Sequence, residues 1–249
     1  MGLRGTQVAK ETASIVLKDD SFTSIAEAVA HGREIFMNIQ KFVVYLVSCN
    51  LSEIFIVTVL GFIAPATTLL PLQILFLNMV TDVFPALALG LGKGDETVMK
   101  RPPRNPKKDI ISSKKWISIS LYAGAITLAV LAAVFYCRQA FPSNDMVANN
   151  IAFITLAFAQ LFHVFNMSSF RSRLLVNEVT KNKFIWIAIL LCAGLTVLVY
   201  TIPQMRSVLG LVVLSAKVWV IAVLAGFLPL LMVQVYKVIW RNRNLKNKK

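Results

Sequence analysis

Six apolar stretches, each close to the ~20 residues that cross hydrocarbon as a helix, constrain this chain more than any other feature. By hydropathy they fall at about 42–64, 69–91, 116–137, 147–168, 184–203 and 218–237. A helix satisfies its own backbone donors and acceptors, as a chain in lipid must. Composition agrees, with 57% hydrophobic and 15% charged residues against about 45–50% and about 25% in soluble domains. That excess is too large for one core, so the expected fold is an all-α membrane protein with six transmembrane helices. With 11 Gly, 9 Pro and 3 Cys, the chain is not disordered, collagen-like or a disulfide scaffold. No basic segment and cleavage site precede the first stretch, so a removable signal peptide is not expected.

The net charge of +14 would point to nucleic acid in a soluble protein. Here its placement reads as topology. With the N-terminus inside, the inner segments 1–41, 92–115, 169–183 and 237–249 carry 5, 8, 4 and 6 Lys and Arg residues. That is 23 of 26, leaving Arg138, Arg206 and Lys217 outside. The bias predicts a multi-pass protein with both termini cytoplasmic, and no nucleic-acid partner. The basic tail with Arg241, Arg243, Lys246, Lys248 and Lys249 is a weaker candidate for binding anionic lipid.

Ahead of the first span, Ile25, Val29, Phe36, Ile39 and Val43 recur at steps near 3.6, and Ser21 or Thr23 can cap the start. No proline intervenes, so the spacing predicts one long helix from the cytoplasm into the bilayer. Residues 13–17 read as a strand. Seventeen residues are too few for a domain, and more chain is expected upstream. The 92–115 loop carries Arg101-Pro102-Pro103-Arg104-Asn105-Pro106, which breaks helix and stays at the surface. No internal repeat is evident, which counts against an inverted-repeat transporter.

Of twelve acidic residues, Glu53 and Asp82 lie well inside spans. An ionisable group there costs at least about 2.5–3.5 kcal/mol and ordinarily marks a substrate or proton path. Asn50 shares a helix face with Glu53; Asn78, Thr81 and Asp82 share another. Two carboxylates with amide, hydroxyl and carbonyl oxygens suit Ca²⁺, Mg²⁺ or alkali ions, whereas soft metals want Cys or Met. Pro85 removes a backbone donor and is expected to open the helix there. Simple interhelical hydrogen bonding is the competing reading. Gln160 and His163 share a face that Asn166 continues. Gln160 could complete a coordination shell and His163 could carry a proton, or both could only join helices. Cys49, Cys137 and Cys192 form no CxxC pair and read as small buried hydrophobes. His31 reads as solvated. There is no Walker A loop, GxGxxG or nucleophile elbow.

Several stretches carry a family resemblance. Arg4-Gly5-Thr6-Gln7-Val8-Ala9-Lys10, Ile15-Val16-Leu17, Asp19-Asp20-Ser21-Phe22 and Gly32-Arg33-Glu34-Ile35-Phe36 resemble the end of the phosphorylation domain of cation-transporting P-type ATPases. Tyr45-Leu46 with Ser48-Cys49-Asn50-Leu51-Ser52-Glu53, and Asn78-Met79-Val80-Thr81-Asp82 with Pro85, look like that family's fifth and sixth membrane helices. The resemblance implies three parts: 1–20, the end of an α/β phosphorylation domain; 21–41, a cytoplasmic stalk helix; and 42–249, a cation-transporting membrane domain. It implies that Asn50, Glu53, Asn78, Thr81 and Asp82 coordinate the transported cation, with Gln160 as a further ligand. Asn78 matches the calcium branch, since sodium/potassium pumps carry Asp there. Gln160 stands where two-site calcium pumps have Glu, so Ca²⁺ is favoured and Na⁺ stays open. The family's DKTGT, TGES and TGDGxND loops and its nucleotide-binding domain are absent, as are its first four membrane helices. ATP and Mg²⁺ would act only in a complete enzyme, and this chain alone is not expected to hydrolyse ATP. The partners implied are the lipid bilayer and the missing pump domains, in cis or in trans; an internal eukaryotic membrane and a bacterial one are both compatible, and the short loops with no regulatory tail or targeting signal favour a bacterial inner membrane. A stand-alone passive cation pathway, half of a split pump, and a non-functional truncation are the alternatives.

Overall fold

The computed structural model describes residues 1–92, 98–100, 102–103, 105, 109–141, 144–169 and 177–246, the last five by backbone only. Among them there are nine α-helices and no strand. They are α1 (Gln7–Thr12), α2 (Phe22–Ile63), α3 (Pro71–Phe76), α4 (Val83–Gly90), α5 (Ser113–Ala140), α6 (Asp145–His163), α7 (Lys183–Thr201), α8 (Pro203–Val208) and α9 (Ala216–Lys246). Six helical units are long and apolar enough to span a bilayer: α2, the run 65–90, α5, α6 extended to Met167, α7 and α9. The protein is an all-α, multi-pass membrane protein.

Helix α2 has 42 residues, about 63 Å at 1.5 Å per residue, roughly twice the hydrocarbon thickness. It has no internal proline, and it ends at Ile63, where Ala64, the residue before Pro65, leaves the helical conformation that a following proline disfavours. Its first half is largely exposed and its second half is packed into the bundle. We call this exposed end of the bundle the stalk end. There, Asn38 Nδ2 donates to the carbonyls of Gly90 and Gly92, and Arg33 Nη1 donates to the Val98 carbonyl at 3.2 Å. Lys41 Nζ lies 3.4 Å from Glu178 Oε1 in a half-buried ion pair. Arg101, Arg104 and Pro106 of the arginine-proline run lie outside the described residues, as do the side chains of the basic tail beyond Arg241.

The N-terminal segment departs from expectation. Ala13–Leu17 is irregular rather than a strand, because no neighbouring strand supplies ladder partners. The Leu17 carbonyl instead accepts from the Gly2 amide at 2.7 Å, and the short α1 was not anticipated. Ser21 occupies the N-cap position of α2 without a capping hydrogen bond. Asp19 organises the start, accepting from the Ser24 hydroxyl and the Ser21 amide.

Helix α6 is the buried centre, packed mainly against α9 and α5. Gly226 on α9 makes that approach possible: a Cβ there would fall 2.9 Å from Phe158 Cβ and 3.1 Å from the Thr155 carbonyl. Phe153, Leu156, Ile56, Leu77 and Ile126 fill the half of the core away from the stalk. Tyr45, Cys49, Ile119, Val164 and Ile185 fill the half toward it. The far end is sealed by amides. Gln73 Nε2 donates to Asn149 Oδ1 at 2.8 Å and to the Leu209 carbonyl at 3.0 Å. Asn150 Nδ2 reaches the Gly210 carbonyl, while its Oδ1 accepts from Tyr200 and from the Val212 amide. Gly210 makes the turn with φ +63°, a left-handed conformation that favours glycine.

Two predictions follow from these contacts. Asn150→Leu strips buried groups of α7 and the 209–212 turn of their partner, and should destabilise the bundle by about 1–3 kcal/mol in thermal unfolding. The Ser24 hydroxyl and the Ser21 amide hold the Asp19 carboxyl below its ordinary 3.8. Its contribution is therefore complete above that value and is lost as pH falls through the lowered one. Hydrogen exchange of the first turn of α2 should accelerate in that acidic window and not between pH 5 and 8.

Candidate ion-binding site

A proline in a helix leaves the carbonyls one turn earlier short of a donor. Before Pro85, residues Leu77–Asp82 relax into a π-helical turn between α3 and α4, so the helix is widened rather than opened. Two side chains supply donors there. Tyr45 Oη donates to the Thr81 carbonyl at 3.1 Å, and the Cys192 thiol donates to the Val80 carbonyl at 2.9 Å. Tyr45 Oη also lies 3.2 Å from the Gln160 carbonyl. One phenol on α2 thus holds the π turn and α6 together.

Around this joint four of the sequence-derived residues share hydrogen bonds. Glu53 Oε2 accepts from Asn78 Nδ2 at 3.2 Å, and its Oε1 accepts from Gln160 Nε2 at 2.8 Å. Thr81 Oγ1 lies 2.9 Å from Gln160 Oε1 and 2.8 Å from the Leu77 carbonyl, so its one proton serves either acceptor. Asp82 stands apart chemically. It is 1% exposed, and neither of its oxygens accepts a hydrogen bond of good geometry, the Cys49 thiol on α2 being set against the carboxyl. No Lys, Arg or His among the described residues pairs with either carboxylate. Asn50 is not brought in: it is exposed, and its amide donates to Leu46 of its own helix at 2.9 Å.

His163 is buried one turn beyond Gln160. Gln234 Nε2 donates to Asn166 Oδ1 at 3.1 Å, which turns Asn166 Nδ2 toward His163 Nδ1 at 3.2 Å. An amide nitrogen only donates, so Nδ1 accepts and the ring proton sits on Nε2, 3.0 Å from Ser48 Oγ. A second proton would face the Asn166 NH₂, and this geometry favours helix joining over proton carrying. The three cysteines are free and buried, and Cys192 is also a donor. His31 is exposed, 3.5 Å from Glu34. Sequence reasoning missed the donor roles of Tyr45 and Cys192. The available signal was Pro85 itself, whose orphaned carbonyls require donors from neighbouring helices.

The fold and this cluster define a helical membrane domain that holds two uncompensated carboxylates among neutral oxygen and amide groups. The chain belongs to the family described as "Cation transporting ATPase, C-terminus", whose sequence model matches residues 66–239. It is 34% identical over 97% of its length to a calcium-transporting ATPase 1 of Bacillus cereus. It is 36% identical over 92% to a calcium-transporting ATPase of Bacillus subtilis. Similarity to an endoplasmic reticulum-type calcium-transporting ATPase 2 of Arabidopsis thaliana, at 26% identity, covers the whole chain. The chain spans 29%, 26% and 29% of those three relatives. It is a calcium-pump-like, C-terminal membrane portion of a P-type cation ATPase.

Removing the Tyr45 hydroxyl leaves two buried carbonyls short. Tyr45→Phe should cost about 1–3 kcal/mol of stability, measured by thermal unfolding in detergent, with the helix content of the native state unchanged.

Proposed function

We propose that this chain supplies most of the cation site of an ATP-driven pump whose cargo is Ca²⁺. One observation carries the reading: Asp82 is buried with no well-formed hydrogen bond and only the neutral Cys49 thiol set against it, beside a second buried carboxylate whose partners are neutral amides. Buried charge persists only when paired or metal-bound, so this pair calls for an external cation or for protons. Oxygen donors suit a hard ion. Glu53, Asp82, Thr81, Asn78 and Gln160 are the proposed ligands. Asn78 and Gln160 now present their amide nitrogens to Glu53, and both turn over to offer oxygen when the cation enters. The names of the Bacillus relatives favour Ca²⁺ over Na⁺.

Asn50 lies on the exposed side of α2, and we assign that side to helices supplied by the rest of a pump. Residues 1–20 and 21–41 are then the edge of a phosphorylation domain and the stalk that carries its movement to Glu53. ATP and Mg²⁺ act in those other parts, in cis or in trans, and the activity of this chain depends on them. The 23-of-26 distribution of Lys and Arg supports a cytoplasmic position for both termini. The Bacillus relatives favour a bacterial inner membrane.

The test is ATP-dependent ⁴⁵Ca²⁺ uptake by vesicles bearing the native polypeptide. Asp82→Asn should reduce uptake to background, and Glu53→Gln should weaken apparent affinity at least tenfold. Unchanged uptake in Asp82→Asn would sink the site assignment.

A further inference from the structure

The last helix contributes no ligand, yet it ends on one. Helix α6 stops at His163 and tightens into a 3-10 turn at Val164–Met167, leaving terminal carbonyls without intrahelical donors. Lys237 on α9 supplies them. The residue is 5% exposed, and its ammonium donates to the carbonyls of Asn166 and Ser168, each at 2.7 Å, and to Ser168 Oγ at 3.2 Å. A cation at a helix C-terminus is favoured by the helix dipole, and an ammonium carries the several protons that such a cluster of acceptors needs. One turn earlier, Gln234 fixes the Asn166 amide, which fixes His163, which meets Ser48 on α2. Gly226, farther along α9, brings that helix to contact distance of Thr155, Phe158 and Ala159, the turn that carries Gln160. The donors run one way, from α9 through α6 to α2, so no member can turn without unpairing the next.

We propose that Lys237 and Gln234 are positioning residues that set Gln160 against Glu53 and thereby tune the cation affinity of the site. The inference rests on the pump reading for the identity of the cation but not for the relay. Lys237→Met removes the donor to the Asn166 and Ser168 carbonyls, whereas Lys237→Arg keeps a charged donor at the same place. Gln234→Leu cuts the relay without touching the buried charge, and covers the case in which Lys237→Met fails to fold.

Two measurements on the native polypeptide in lipid nanodiscs decide it. The first is equilibrium ⁴⁵Ca²⁺ binding without ATP. The second is ¹⁵N-histidine NMR, with the His163 signal assigned by its loss in His163→Phe. Lys237→Met should weaken binding about three- to tenfold, Gln234→Leu should shift it in the same direction, and Lys237→Arg should restore most of it. His163 should hold the Nε2–H tautomer in the unsubstituted protein and become a tautomer mixture in the first two variants. A purely structural role would lower the yield of folded protein and leave both readouts of the folded fraction unmoved. An unchanged tautomer in Lys237→Met, or in Gln234→Leu where Lys237→Met does not fold, overturns the inference, and so does unchanged affinity. If the unsubstituted protein binds no Ca²⁺, the proposed cargo fails, and the tautomer result alone upholds or overturns the relay.

Discussion

In hydrocarbon no water stands by to pair a peptide group, so each one must find its partner in the chain. Along most of this molecule the helices meet that demand themselves, and hydroxyls such as Ser48, Thr127 and Thr196 bond back to carbonyls of their own helix. Like Pro229 within α9 and the end of α6, Pro85 is one place where the demand cannot be met locally. The consequence spreads outward: a π turn forms, Tyr45 and Cys192 come in from α2 and α7, and the three elements are fastened at one level of the bundle. Asn78, Thr81 and Asp82 all lie in that widened turn, so the same defect that needs rescue also displays the polar side chains.

The charges are arranged with comparable economy. The ion pairs near the surface, such as Arg138 with Asp145 at 4.0 Å, are loose and solvent-screened. Inside, the carboxylates of Glu53 and Asp82 have no basic partner among the described residues, while the buried ammonium of Lys237 donates to carbonyls at the end of α6. Opposite charges that could have neutralised each other are instead kept on different jobs.

Much of the architecture was legible in the sequence. Six spans emerged from hydropathy because apolar helices are the available solution in lipid, and the continuous α2 followed from an unbroken 3.6-residue pattern without proline. The strand at 13–17 was misread because β-branched residues show only a propensity, and a strand without neighbours gains no ladder. Helical spacing placed Asn50 with Glu53 on one face. It could not say that the neighbouring helices cover only part of that face, leaving Asn50 on the uncovered side. The assembled contacts of Glu53 with Gln160, 107 residues apart in sequence, depend on how α2 and α6 cross, and no local pattern encodes that. Lys237 was counted as one more inner basic charge, and its burial came to light only once α9 lay against α6.

Tyr45, Cys49 and Glu53 recur every four residues along one stripe of α2, a single unbroken rod. The stripe spans about 12 Å, too short for the rod to bend appreciably between its ends. Any twist of α2 about its own axis therefore reaches the phenol and the carboxylate together. A turn that draws Glu53 from Asn78 and Gln160 also draws Tyr45 from the Thr81 and Gln160 carbonyls. The grip on the site and the hinge pin of the site are cut from one shaft, and neither can be released alone.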